Sequence, residues 1–273
     1  MKMKNNLISK FLICDKQIRI YILQGSQIKQ ELKDKIGSNR QMKYMLEALN
    51  ITALLASLNS DEQRFSLKFM SKDLKYKIST EGFSNKTITG LMTVDDEEHA
   101  FTGGSLQVIR SIDGQYGSSY TSFTSLETGD FFHDIGKYYK DSEQIPTCFI
   151  PINESEIYEN ITILIQELPF ASEGIFEAAV EKTLQNKFDF DFSSTASIQE
   201  TVLKVYQDAM LLEVKEILYS CGCTKEMFLG LIFSLTKEEQ EDIMEQNINL
   251  EANCSICGKE YYFTPEEIVM YLK

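Results

Sequence analysis

The chain has 273 residues, 43% of them hydrophobic, enough to bury one large core with appendages. Forty-one acidic against 27 basic side chains give a formal net charge of −14. That balance argues against nucleic acid or an anionic membrane surface as the main partner, since both need clustered Lys and Arg. No run approaches about 18 apolar residues, so no membrane-spanning helix is predicted. The basic start Met1-Lys2-Met3-Lys4 meets only the short apolar run Phe11-Leu12-Ile13-Cys14 and has no small-residue cleavage site, so a cytoplasmic location is expected. In that compartment clustered cysteines bind metal or do redox work.

Along the chain, Gln17 to Leu23 alternates with Ile18, Ile20 and Ile22 on one face, a strand pattern. Ser26 is the predicted cap of a short helix carrying Ile28, Leu32 and Ile36 and ended by Gly37. Ser38 opens a longer helix through Met45, Leu49, Leu54, Leu55 and Leu58. Residues 64 to 124 read as strands, with Phe65, Leu67 and Phe69 alternating, then Leu74, Tyr76 and Ile78, punctuated by Gly90, Gly103, Gly104, Gly114 and Gly117. A helix follows from Leu126, with Phe131, Ile135 and Tyr138 at helical spacing, and then two strands, Thr147 to Pro151 and Ile161 to Leu168. The expected fold is α+β, a mixed and largely antiparallel sheet body with helices over residues 1–169.

After Pro169 the pattern changes. Glu173 to Lys187 is amphipathic, with Phe176, Val180 and Leu184 on one side. Phe188-Asp189-Phe190-Asp191-Phe192 alternates aromatic and acidic residues, and Ser197 with Glu200 forms a capping-box pair ahead of Val202 and Tyr206. Residues 170–211 are read as a helical linker and not a core element. Residues 212–273 are read as a small zinc-binding domain. Val214 to Tyr219 is its predicted strand, delivering Cys221. Thr224 starts one short helix, Thr236 with Glu239 caps a second, and Ile248 to Phe263 forms a hairpin. Thr264-Pro265-Glu266-Glu267 starts the last helix, with Pro at its first position.

Four of the six cysteines fall in this segment as C-x-C, a long spacer, then C-x-x-C: Cys221, Cys223, Cys254 and Cys257. Zn²⁺ takes four soft ligands in a tetrahedron, and each close pair can span one edge. Gly222 and Gly258 are expected to let the backbone turn tightly beside the metal. The histidines His99 and His133 are remote, so the set reads as closed, one zinc per chain, with no open position for hydrolytic water. Four buried thiols without metal is the weaker reading, and a purely structural zinc knuckle the stronger competitor. C-x-C is unusual for a plain knuckle. Thiolates are the form that attacks oxidants, and each can pair with a near neighbour when oxidised. A small domain that loses its metal loses its fold. Cys14 and Cys148 lie in apolar strand-like runs and read as buried structural thiols.

The pattern C-x-C, spacer, C-x-x-C, Gly258, Tyr261-Tyr262-Phe263 resembles the zinc domain of the thirty-three-kilodalton heat-shock proteins, bacterial redox-regulated holdase chaperones. Leu126-Glu127, Tyr138-Tyr139 and Ser142-Glu143-Gln144-Ile145-Pro146-Thr147 are similar to a helix and Ser-Glu-Gln-x-Pro segment of the same family. The resemblance implies zinc on the four cysteines. It implies disulfides Cys221–Cys223 and Cys254–Cys257 on oxidation, and a linker that unfolds to bind unfolded clients. It also implies a homodimer when oxidised and transfer of clients to ATP-dependent foldase chaperones. Two places depart from the family pattern: Thr102 to Val108 keeps only part of a Gly-x-Gly-x-Leu-x-Val stretch, and Thr224-Lys225-Glu226 is less basic than usual.

Phe176, Val180, Phe188, Phe190 and Phe192 are the candidate client-binding residues, hidden at rest and exposed on demand. No enzyme is expected: nucleophile-elbow, Walker, H-E-x-x-H and dinucleotide motifs are absent. His133-Asp134 as an acid–base pair and Gly103-Gly104 as an anion site are the weaker readings of those residues. The alternative to a redox chaperone is a constitutive zinc-stabilised protein-binding module.

Overall fold

The computed structural model describes residues 5–59, 63–83, 86–95, 101–112, 119–152, 160–187 and 189–272. The chain forms two compact units, Met1–Tyr219 and Ser220–Lys273.

The first unit runs β1 (Asn6–Ile13), β2 (Ile18–Gln24), α1 (Ser26–Leu32), α2 (Asn39–Ala56), β3 (Gln63–Ser71), β4 (Tyr76–Phe83) and β5 (Thr87–Val94). It continues with β6 (Gly104–Ile112), β7 (Tyr120–Leu126), α3 (Phe131–Asp141), β8 (Thr147–Ile152), β9 (Ile161–Glu167), α4 (Ile175–Asn186), α5 (Thr195–Val205) and β10 (Met210–Tyr219). The strands make one ten-stranded sheet in the order β7-β6-β3-β4-β5-β10-β1-β2-β9-β8. Its ladders are antiparallel except for a short parallel join, where Leu218 and Tyr219 of β10 meet Thr87 and Ile88 of β5. The α+β class and largely antiparallel sheet are as the sequence predicts.

Two cores lie on opposite faces of this sheet. Ile8, Tyr21, Leu23, Leu49, Leu54, Phe65, Phe69, Tyr76, Phe131 and Tyr138 share one with α1, α2 and α3. Ile18, Ile20, Ile22, Ile163 and Ile165 share the other with α4, α5, Phe190 and Phe192. β2 is thus covered on both faces, which is why it reads as an almost unbroken apolar run.

Local signals place most helix starts. Ser38 Oγ accepts the Gln41 amide at 3.2 Å, capping α2 as predicted. Gly25, not Ser26, occupies the cap of α1, and that helix ends at Leu32, a turn before Gly37. α5 begins earlier than the Ser197 reading, because Ser194 Oγ accepts the Ser197 amide at 3.0 Å. Gly103 has φ +118°, and a Cβ on Gly104 would collide with the Met70 carbonyl of β3. Close strand packing therefore accounts for this glycine pair without an anion.

Two expectations change. Residues 170–211, read as a connector outside the core, contribute α4 and α5 to the second core. The strand expected over 214–219 is the end of β10, which pairs along β1 from Asn6–Ile217 to Leu12–Met210. The expected boundary at 211/212 falls inside that strand, and the compact unit ends at Tyr219. The partner strand lies some two hundred positions away, which no local pattern records.

The second unit has a 3-10 turn at Lys225–Phe228, α6 (Leu229–Ser234), α7 (Lys237–Glu245), a hairpin of β11 (Leu250–Asn253) and β12 (Glu260–Phe263), and α8 (Pro265–Leu272). Ile232, Ala252, Tyr261, Phe263 and Ile268 form its core. The Thr236–Glu239 capping box closes as predicted. Glu267 accepts the Thr264 amide at 2.9 Å, and Lys225 Nζ reaches both Glu267 oxygens at 2.6 and 2.7 Å.

Candidate metal centre

β11 delivers Cys254 to the mouth of a tight turn. There the Gly258 amide donates to the Cys254 carbonyl at 2.8 Å and the Cys254 amide to the Lys259 carbonyl at 2.9 Å. Gly258 has φ +73°, a left-handed conformation that glycine adopts without a Cβ penalty. Gly222 is not left-handed and has open space where a Cβ would stand, so its glycine is not demanded by the turn. Cys221 and Cys223 approach from the segment after β10.

The four ligand atoms lie within 4.8 Å of one another, and this is the one group of three or more possible metal ligands among the described residues. Cys221 Sγ is 3.9 Å from Cys254 Sγ, and Cys223 Sγ is 3.6 Å from Cys257 Sγ. A tetrahedron with metal–sulfur bonds of about 2.3 Å has edges of about 3.8 Å, whereas a disulfide needs about 2.05 Å. The spacing fits a metal cage of four free cysteines. The set offers no nitrogen or oxygen ligand and no open position.

As thiols the four are unequal. Burial pushes Cys257 up to about 11 and Cys221 further up. At Cys223 burial works against ionisation, but hydrogen bonds from Tyr261 and Cys221 outweigh it and hold the thiol below its usual value. Its own bond to Cys223 pushes the Tyr261 phenol up, so that hydroxyl stays a donor. A cation held by the four sulfurs would displace their protons, so its affinity would rise with pH.

The candidate client-binding residues lie in the other unit. Phe190 and Phe192 are each 2% exposed and stack with centroids 5.8 Å apart. Phe176 and Val180 are partly buried against the same core. Phe188 lies outside the described residues. Cys14 and Cys148 are only half-buried at the rim of that core, which corrects their reading as buried thiols. Burial raises both thiols above their ordinary value. His133 is exposed with Nδ1 3.7 Å from Asp134 Oδ1, and the Asp134 carboxylate also accepts the Thr128 and Gly129 amides at 3.2–3.3 Å, which hold it to the start of α3.

Sequence reading assigned no role to Tyr261 or Arg110. Tyr261 alternates with Phe263 on β12, so period two alone puts it on the inner face of the metal unit. Arg110 on β6 donates to Glu143 at 3.1 Å and to the Tyr139 hydroxyl at 3.3 Å. Tyr138 donates to Glu143 at 2.6 Å. The Tyr-Tyr and Ser-Glu-Gln-x-Pro motifs are therefore one polar lock that fastens the end of α3 to the sheet.

Fold and site together define an α+β body followed by a separate unit that gathers four cysteine sulfurs. The family model described as Hsp33 protein matches residues 6–264. The 33 kDa chaperonin of Bacillus pumilus is 31% identical over 176 residues, covering 61% of this chain and 59% of the relative. That of Lactobacillus acidophilus is 28% identical over 160 residues, covering 55% and 52%. These alignments span about half the length of those relatives; one to Lactobacillus delbrueckii subsp. bulgaricus spans 97% and 96% at 23% identity. The crystal structure of the 33 kDa chaperonin of Thermotoga maritima superposes with a TM-score of 0.77 over 98% of each chain at 20% identity, a likeness of fold. The chain belongs to the Hsp33 family, and its relatives carry a chaperone name.

Proposed function

We propose that this protein is a redox-regulated holdase. Its four cysteines hold one Zn²⁺ in the reduced state, and oxidant releases the zinc and frees the α4–α5 segment to bind unfolding proteins. The observation that carries the reading is the convergence of four sulfurs at tetrahedral spacing in a unit with a very small core of its own. A core of that size needs a metal staple to persist. Zinc suits an all-sulfur closed set and supplies a cross-link that keeps all four sulfurs as thiolates.

The chain's own residues do the rest. Oxidation would join Cys221 to Cys223 and Cys254 to Cys257, as the family resemblance implies. Each disulfide forms when one thiolate takes oxygen from a hydroperoxide and its neighbour displaces hydroxide. Loss of the staple unfolds the chain after Tyr219, and β10 leads directly back to α5. Phe176, Val180, Phe190 and Phe192, with the isoleucines beneath them, then become the apolar surface that clients bind. In this reading the oxidised protein dimerises, hands clients to ATP-dependent foldases, and works in the cytoplasm without catalysing a reaction.

The test is to treat zinc-loaded protein with hydrogen peroxide at mild heat and follow zinc release and suppression of client aggregation together. Both rise in parallel for a redox holdase. Client protection that is already full in reductant, or zinc loss with no gain of protection, overturns the reading in favour of a constitutive zinc-stabilised module.

A further inference from the structure

Cys223 is the one sulfur of the four that takes a hydrogen bond from a side chain outside the cluster, among the described residues. The Tyr261 hydroxyl donates to the Cys223 carbonyl at 2.7 Å and lies 3.2 Å from Cys223 Sγ. The phenol cannot swing away easily. It is buried, its ring packs on Phe228 at 5.0 Å between centroids, and Lys259 Nζ sits 4.9 Å over it. The donor draws density from the sulfur lone pair. In the other pair Cys254 is buried, 6% exposed, while Cys257 is half-buried. Cys223 thus carries a phenol donor that Cys221 lacks, and Cys254 is more buried than Cys257.

We infer that this asymmetry divides the labour of oxidation: Cys221 and Cys257 take the first oxygen, Cys223 and Cys254 resolve, and Tyr261 sets the order at the first pair. This rests on the proposed redox function and goes beyond it. The sulfur of Cys221 attacks the O–O bond of a hydroperoxide, forming S–O as hydroxide or alkoxide leaves. Cys223 thiolate then attacks that sulfur, forming S–S and expelling hydroxide. The pair loses two electrons and the peroxide gains them. Tyr261 touches no oxidant in this sequence and acts as a positioning residue through its bond to Cys223.

The experiment uses the full zinc-loaded chain with substoichiometric hydrogen peroxide and a 1,3-dione that traps sulfenic acids, read by peptide mass spectrometry. In the native protein the label falls on Cys221 and Cys257. Tyr261→Phe spreads it to Cys223 and speeds peroxide-driven zinc loss about tenfold, the size of one lost bond to a charged acceptor. Zinc loss to a chelator in reductant accelerates less than the peroxide-driven loss. Equal acceleration of both losses overturns the assignment, because it marks a merely structural role. So does native label on Cys223 at the level of Cys221, a result that needs no variant. A native chain that keeps its zinc and takes no label overturns the proposed function itself, whereas zinc loss with label on Cys223 overturns only this assignment.

Discussion

Phe192→Ala tests whether the α4–α5 segment is a releasable cover. Phe192 is 2% exposed in the second core, stacked on Phe190, and its carbonyl accepts the Gln24 side-chain amide at 3.0 Å. Truncation leaves that carbonyl bond possible and removes only the ring. Deleting a buried Phe ring costs about 3–5 kcal/mol, transfer and cavity together. If α4 and α5 open as a local unit, that cost raises their opening constant about 100-fold or more, at 1.4 kcal/mol per decade. The assay is amide hydrogen exchange on reduced, zinc-loaded protein, with binding of a hydrophobic dye. Exchange should accelerate across residues 175–205 and leave β3 to β7 nearly unchanged, and dye binding and client protection should appear without oxidant. Equal acceleration throughout the first unit would refute the reasoning, since the cover would then be inseparable from the body. Faster exchange with no dye binding would refute the step from cover to client surface.

Further outcomes follow from buried polar groups. Glu47 on α2 is 8% exposed, and burial pushes its carboxyl up to about 7, with Lys43 3.7 Å away only partly offsetting it. The folded state then holds a proton that the unfolded state has released, so stability is greatest at low pH and falls as pH rises toward 7. Glu47→Gln should abolish that fall and stabilise the protein at pH 8 by up to about 3 kcal/mol in urea unfolding; an unchanged pH profile would contradict it. Glu143→Ala strips Arg110 and Tyr138 of their shared acceptor and should lower stability by about 1–3 kcal/mol, with an unaltered unfolding midpoint as the contrary result.

The parts of this structure written locally were legible in the sequence. Ser38, the Thr236–Glu239 box and Thr264-Pro265 announce their helices through side chains within three residues of the amides they satisfy. The cysteine spacing announces the site, because two short loops can span a tetrahedron's edges. What was hidden depends on distant partners. Met210–Tyr219 has apolar residues in neighbouring positions as well as alternate ones, and nothing in that pattern says it joins β1 and β5. α4 and α5 have the amphipathic stripe of any surface helix, so their place in a core appears only when Ile18, Ile20 and Ile22 are seen beneath them. Tyr261 was quoted within a motif, yet its bond to Cys223 requires the hairpin to fold across 38 positions of chain.

The central claim is that the metal-binding unit governs the cover of the second core. It is tested most directly by hydrogen exchange on the full chain, zinc-loaded and reduced against oxidised and zinc-free. The account predicts that residues 175–205 lose their protection with the metal while β3 to β7 keep theirs. Retained protection in α4 and α5 after the zinc has left would contradict it.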